Sequence, residues 1–124
     1  TKHKIDSEQM FVEKEACQIV NKAVDGGKRI CAVGTTTMRV LESASATDGY
    51  LKEFEGWTNK FIFPPYDFTI PSAMVTNFHM PESTLLMLVA AFGGYELIMK
   101  AYDEALEQGY RFGTYGDAML IISK

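Results

Sequence analysis

Apolar residues recur along the chain with two alternating periods, separated by glycine pairs and prolines. Residues 9–12 form a short apolar stretch suited to a strand, and Ala16, Ile19, Val20, Ala23 and Val24 follow at spacings of 3, 1, 3 and 1, one face of a helix. Glu13 and Glu15 suit that helix's N-terminal dipole, and Gly26-Gly27 supplies its stop. Residues 29–33 then read as a buried strand rich in β-branched side chains. Gly34-Thr35-Thr36-Thr37 opens a helix through Ala46 with Met38, Leu41 and Ser45 facing inward. Strand, helix, strand, helix is a pattern that a layered sheet with packed helices satisfies.

The second half continues the alternation. Residues 47–59 are polar and turn-like, and residues 60–63 resume as a strand that Pro64-Pro65 ends. Residues 73–75, extending toward Phe78, form another strand, and Pro81 with Glu82 and Ser83 opens a helix that is apolar nearly all round and so buried. Gly93-Gly94 interrupts. Tyr95, Ile98, Met99, Tyr102 and Leu106 mark an amphipathic helix closed by Gly109, and residues 118–122 make a last strand. The expected fold class is α/β, a layered α/β/α arrangement around a mixed, mainly parallel sheet.

Composition bounds what such a chain can do. Leu, Ile, Val and Phe occupy 31 of 124 positions, above the level of disordered chains, and the length suffices for one core without metal or disulfide. The net charge of −4 argues against an indiscriminate polyanion binder. Residues 1–62 hold nine basic and nine acidic side chains, whereas residues 63–124 hold three and seven, so the excess negative charge lies in the second half. Cys17 and Cys31 form no CxxC pair; reduced, buried thiols are expected, with no metal. The longest apolar run, residues 85–92, is far short of the roughly 18 residues needed to span a bilayer. Without a signal segment the expectation is a cytoplasmic protein with no membrane partner, and the opening Thr1 suggests a piece of something longer.

Three stretches could carry chemistry. In Val33-Gly34-Thr35-Thr36-Thr37-Met38-Arg39, a glycine after a strand lets backbone approach a ligand, and a helix N-terminus offers N–H groups to an anion; Thr-rich caps are equally common as structural devices. GxxxxGK and GxGxxG are absent. In Thr76-Asn77-Phe78-His79-Met80-Pro81-Glu82-Ser83-Thr84, a carboxamide, an imidazole, a carboxylate and hydroxyls crowd between an apolar strand and a buried helix. His79 is open to proton transfer, or it is a satisfied core histidine beside a helix cap. In Tyr110-Arg111-Phe112-Gly113-Thr114-Tyr115-Gly116-Asp117, rings and a guanidinium could stack on nucleobases and Asp117 could accept from base or ribose, or the aromatics simply fill a turn.

Read in order, and together with Phe61-Ile62-Phe63-Pro64, these stretches closely resemble the S-adenosylmethionine:tRNA ribosyltransferase-isomerase family of queuosine biosynthesis. The resemblance implies an enzyme that moves the ribosyl part of S-adenosylmethionine onto 7-aminomethyl-7-deazaguanine at the tRNA wobble position, with adenine and methionine leaving. Family members are much longer, with a β-barrel inserted into an α/β domain. By that resemblance residues 1–124 are the C-terminal part of the α/β domain, without the barrel, and the remainder of the full-length enzyme and the precursor tRNA are its partners. Two departures stand out. The second histidine of the family's His-x-Met-His-x-Glu stretch is Asp6 here, and Pro65 stands where a glycine is common. The resemblance makes Gly34, Thr35, Thr36, Thr37 and Arg39 contacts for S-adenosylmethionine or its anchoring, and Asn77, His79, Glu82 and Ser83 pocket residues, with Tyr115 and Asp117 completing the site. His79 is the first candidate for the catalytic base and Asp117 the second.

Overall fold

The computed structural model describes residues 8–58, 60, 62–80 and 83–123. In chain order the elements are β1 (Glu8–Val12), α1 (Lys14–Asp25), β2 (Cys31–Val33), α2 (Thr35–Ala44), β3 (Phe54–Thr58), β4 (Ala73–Asn77), α3 (Thr84–Gly93), α4 (Tyr95–Glu107) and β5 (Ala118–Ile122). β2, β4 and β5 form one sheet in that order, parallel between β2 and β4 and antiparallel between β4 and β5. β1 and β3 form a separate antiparallel pair. The α/β class and the mixed sheet are as expected. The balance differs, with one parallel ladder and two antiparallel ones among the described residues.

Register divides the three-stranded sheet into two unlike faces, since alternate residues of a strand point to opposite sides. Ala32, Met74 and Ile121 are aligned across the strands and buried, and they join Met38, Leu41, Leu88, Val89 and Ile98 of the helices in one core. On the other face Cys31, Ala73 and Ile122 are aligned, as are Val33, Val75 and Leu120. There Val33 is 69% exposed, Leu120 60% and Ile122 49%. The described residues lay no helical layer over this apolar face. That explains one sequence expectation that fails: Cys17 is buried in α1, but Cys31 is exposed, because it sits on the edge strand and points to the open side.

The helices follow their sequence patterns with local shifts. Met38 and Leu41 of α2 are buried as expected, but the third inward position is Ala44, and Ser45, just past the helix, donates to the Glu42 carbonyl instead. α3 buries Leu86, Leu88, Val89 and Ala90, and Ser83 caps it by accepting from the Leu86 N–H at 3.1 Å. In α4 the buried stripe is Ile98, Tyr102 and Ala105; Tyr95 in the first turn and Leu106 in the last are exposed. No helix among the described residues is long and apolar enough to cross a membrane, and α3 and α4 are set at 118° to each other.

The segment read as polar turn contains β3, which pairs residue for residue with β1, from Glu8 against Thr58 to Val12 against Phe54. Conversely, residues 60, 62 and 63 are not in a strand, and residues 59 and 61 lie outside the described residues. Ile62 is nonetheless almost wholly buried, so its apolar pattern reports core packing and not pairing. Asn21 of α1 holds the intervening turn by a reciprocal pair of bonds, donating to the Leu51 carbonyl at 2.9 Å and accepting the Leu51 N–H at 2.8 Å. Glu42 organises the next loop: its buried carboxylate accepts from the Tyr66 hydroxyl at 3.1 Å, the Thr69 N–H at 3.0 Å and the Ile70 N–H at 3.3 Å.

Candidate active site

In open α/β sheets, ligands bind beyond the carboxyl ends of the parallel strands. β2 ends at Val33 beside Val75, β4 runs two residues further to Asn77, and a cleft of about 410 Å³ opens there, within the usual ~300–1,000 Å³ range of small-molecule sites. Val33, Gly34, Thr35 and Thr36 form one wall, Val75, Thr76, Asn77 and His79 another, and Thr114 and Ala118 close the side.

Gly34 leaves β2 with its N–H bonded to the Val75 carbonyl at 2.8 Å and turns into α2 at φ +94° and ψ 152°, a conformation essentially reserved for glycine. As the helix N-cap it offers no side chain, so the first N–H groups of α2 have no side-chain cap and remain available to an acceptor in the cleft. Thr37 does not cap; its hydroxyl donates back to the Val33 carbonyl at 2.9 Å. Arg39, only 7% exposed, lies on the core side of α2 and not in the cleft wall.

His79 follows β4 and is half-buried. Its Nε2 lies 2.8 Å from the Thr76 hydroxyl oxygen, and its backbone N–H donates to the Tyr102 hydroxyl oxygen at 2.9 Å. Burial holds the imidazole pKa below its ordinary 6.5, which keeps the ring neutral and able to take a proton. Tyr102, itself buried, has its pKa raised by desolvation, partly opposed by the bond from the His79 backbone. It therefore stays a neutral phenol in this contact.

The third stretch is built mainly as a strut. Phe112 packs 5.3 Å from Phe78 and 5.6 Å from Tyr102, and Tyr110 lies 5.7 Å from Phe78, ring centroid to centroid. The Gly113 N–H donates to the Phe78 carbonyl, the Phe78 N–H to the Asp117 carbonyl, and the Asn77 carboxamide to the Gly116 and Asp117 carbonyls. The Asp117 carboxylate accepts the Arg111 N–H at 2.7 Å, across its own turn.

Of the residues singled out in sequence, Gly34, Thr35, Thr36, Asn77 and His79 come together in the cleft wall. Thr37, Arg39, Ser83 and Asp117 are not in it, and Tyr115, 99% exposed, projects into solvent. Glu82 lies outside the described residues, as does the segment with His3 and Asp6. Val75 and Ala118 line the cleft from outside the three stretches, and Val33, Thr76 and Thr114, which lie within them, line it without having been assigned a contact. Thr76 carried a usable signal, a hydroxyl directly after the apolar run of β4. Among the described residues no three of His, Cys, Asp and Glu cluster closely enough to hold a metal ion.

Comparison with known proteins gives relatives that share this chain's sequence and fold. An S-adenosylmethionine:tRNA ribosyltransferase-isomerase from Phocaeicola vulgatus is 71% identical over all 124 residues, and one from Bacteroides fragilis is 73% identical over the same span. In each case this chain spans 35% of the relative's length, so it corresponds to about a third of the curated relatives it matches. A crystal structure of an S-adenosylmethionine tRNA ribosyltransferase from Thermotoga maritima superposes with a TM-score of 0.85 at 49% identity, covering 90% of this chain and 39% of that one. The model of the family described as queuosine biosynthesis protein matches residues 1–121. With a family match across nearly its whole length and a shared fold at high identity, the chain belongs to the queuosine biosynthesis protein family.

Proposed function

We propose that this chain is part of a tRNA-modifying enzyme that transfers and isomerises the ribosyl moiety of S-adenosylmethionine onto 7-aminomethyl-7-deazaguanine at the tRNA wobble position, giving epoxyqueuosine and releasing adenine and methionine. The observation that carries the reading is the cleft at the ends of β2 and β4, where the open N-terminus of α2 and a neutral histidine share one small-molecule-sized space. It is supported by what the relatives' names state. A tRNA substrate makes the cytoplasm the place of action.

The chemistry needs a base to take a proton from the ribose carbon beside the sulfonium, whose positive charge acidifies that position. His79 suits this role: it borders the cleft and its lowered pKa leaves a lone pair free at neutral pH. Asp117 is the second candidate; its carboxylate is already engaged by the Arg111 N–H, which favours His79. Gly34, Thr35 and Thr36 bring backbone N–H groups and hydroxyls to the donor's polar groups. Asn77 ties the wall to the 110–117 turn, which presents Thr114 and, beyond the cleft, Tyr115. Thr37 and Arg39 act as anchors through α2 in this reading and Ser83 through its cap on α3, while Glu82, outside the described residues, keeps the pocket role that the resemblance implies. No metal enters the reaction as proposed. The scarcity of Lys and Arg after residue 62 suits a tRNA surface carried largely by the remainder of the full-length enzyme.

The test is calorimetric titration with S-adenosylmethionine of this chain and of the longer enzyme, followed by an adenine-release assay with precursor tRNA. Binding by both and release by the longer enzyme is the expected result. If His79→Ala in the longer enzyme left turnover within a few-fold of the parent, the base assignment would be abandoned. A second reading, a non-catalytic S-adenosylmethionine- or RNA-binding module of the same fold, draws on the chain's span of 35% of its relatives. It predicts binding without adenine release.

A further inference from the structure

Thr76 is the residue that the structure adds to this site. It sits in β4 on the sheet face that also carries Met74, and it is only 4% exposed, yet its side chain is polar. A buried hydroxyl needs partners, and this one has two: the carbonyl oxygen of Asn77 at 3.2 Å and Nε2 of His79 at 2.8 Å.

A hydroxyl carries one proton and two lone pairs. The Asn77 carbonyl can only accept, so that contact is a hydrogen bond only if the Thr76 O–H points to it. Oγ1 then meets His79 with a lone pair, and Nε2 must be the nitrogen bearing the proton. The remaining ring nitrogen, Nδ1, has no hydrogen-bond partner among the described residues, and His79 borders the cleft. The backbone N–H of the same residue is fixed by the Tyr102 hydroxyl, so main chain and ring are held at separate points.

We propose that Thr76 is a positioning residue whose buried hydroxyl fixes the His79 imidazole as the Nε2–H tautomer, leaving Nδ1 as the basic nitrogen presented to the cleft. The kinetic part of this proposal rests on His79 acting as the base; the tautomer does not. Without the hydroxyl the ring would lose the bond that chooses between its two neutral forms and that restrains its rotation.

The chain contains two histidines, His3 and His79, so selective ¹⁵N labelling of imidazoles gives two ring systems, and His3→Gln assigns them. Long-range ¹⁵N–¹H correlation above pH 7 should show His79 protonated at Nε2. An Nδ1–H ring in the unsubstituted chain overturns the proposal, and this reading needs no variant to fold. In the longer enzyme, Thr76→Val keeps the shape and removes the hydroxyl, whereas Thr76→Ser keeps the hydroxyl. With a general base worth ~10²–10⁴-fold, Thr76→Val should lower kcat by at least roughly tenfold with KM changed less than about threefold, and Thr76→Ser should restore most of it. Val and Ser variants equal to each other in kcat and in tautomer overturn the positioning role. Turnover that survives His79→Ala while the ring is Nε2–H removes the base reading, and with it Thr76's kinetic effect, but leaves the tautomer assignment standing.

Discussion

The carboxamide of Asn77 donates to the backbone carbonyl of Asp117 at 3.3 Å, fastening the last residue of β4 to the residue that precedes β5. The same amide reaches the Gly116 carbonyl, so one side chain holds the turn that closes the cleft. Asn77→Ala is expected to cost about 1 kcal/mol, the net value of a typical hydrogen bond, and to lower hydrogen-exchange protection of the Gly113 and Asp117 amides. Unchanged protection at both amides would show that the turn holds without Asn77.

Glu42 offers a larger effect. Its buried carboxylate accepts from one phenol and two backbone N–H groups, bonds to a charged acceptor that are worth more than neutral ones. Glu42→Gln replaces one acceptor oxygen by a donor facing those N–H groups, and denaturant unfolding should show a loss of about 2 kcal/mol. The Tyr66 pKa, pushed up to about 12 by desolvation first and then by the Glu42 charge and hydrogen bond, should fall in this variant yet stay above 10, because the desolvation remains. Phenolate absorbance against pH measures it.

Stability should also depend on pH through His79. Burial lowers its folded pKa below 6.5, so the folded chain binds this proton less readily than the unfolded chain. Its contribution is complete above pH 6.5 and is lost as pH falls toward the lower folded value. The Tm of the parent minus that of His79→Gln should therefore decline as pH drops below 6.5. A constant difference from pH 8 to pH 5 would contradict the assignment.

Two glycines fail for different reasons when given a side chain. At Gly116 a Cβ would stand 2.5 Å from the Arg111 carbonyl oxygen and 2.9 Å from the Phe112 carbonyl carbon, both backbone. Gly116→Ala should cost about 2 kcal/mol by forcing the turn open. At Gly34 a Cβ meets nothing within 4 Å, but φ is +94°, so Gly34→Ala carries torsional strain of about 1–3 kcal/mol. Thermal melts should show both losses, and only Gly34→Ala should alter the direction in which the first turn of α2 faces the cleft, read by S-adenosylmethionine titration.

Much of this fold was legible because local pattern and final environment agree. The apolar run at 85–92 gave buried α3, and the residues beside Gly34 and His79 gave the cleft. The spacing of Ala16, Ile19, Val20, Ala23 and Val24 placed α1 but not its buried side: Ala16 is exposed, Ile19 is 66% exposed, and the buried residue is Cys17. β3 was not legible: Phe54-Glu55-Gly56-Trp57-Thr58 has a glycine at its centre and is a strand because β1 pairs with it. Residues 60–63 misled in the opposite sense, since Ile62 is apolar for the core and not for a sheet. The chemistry of the 110–117 turn was ambiguous in sequence because stacking on a base and stacking on Phe78 require the same rings. Thr76 was missed because its role depends on a histidine three residues on and on which sheet face is covered.

The open face of the three-stranded sheet bears on every measurement proposed above. Val33, Leu120 and Ile122 keep much of their surface in water, where each Å² forgoes about 25 cal/mol of burial free energy. Whatever covers that face when the sheet is folded, and not when it is unfolded, adds to the folding free energy by linkage. A melting temperature recorded on the 124-residue chain therefore leaves this burial term out, and a binder that covers the face should raise it in proportion to the area removed from water.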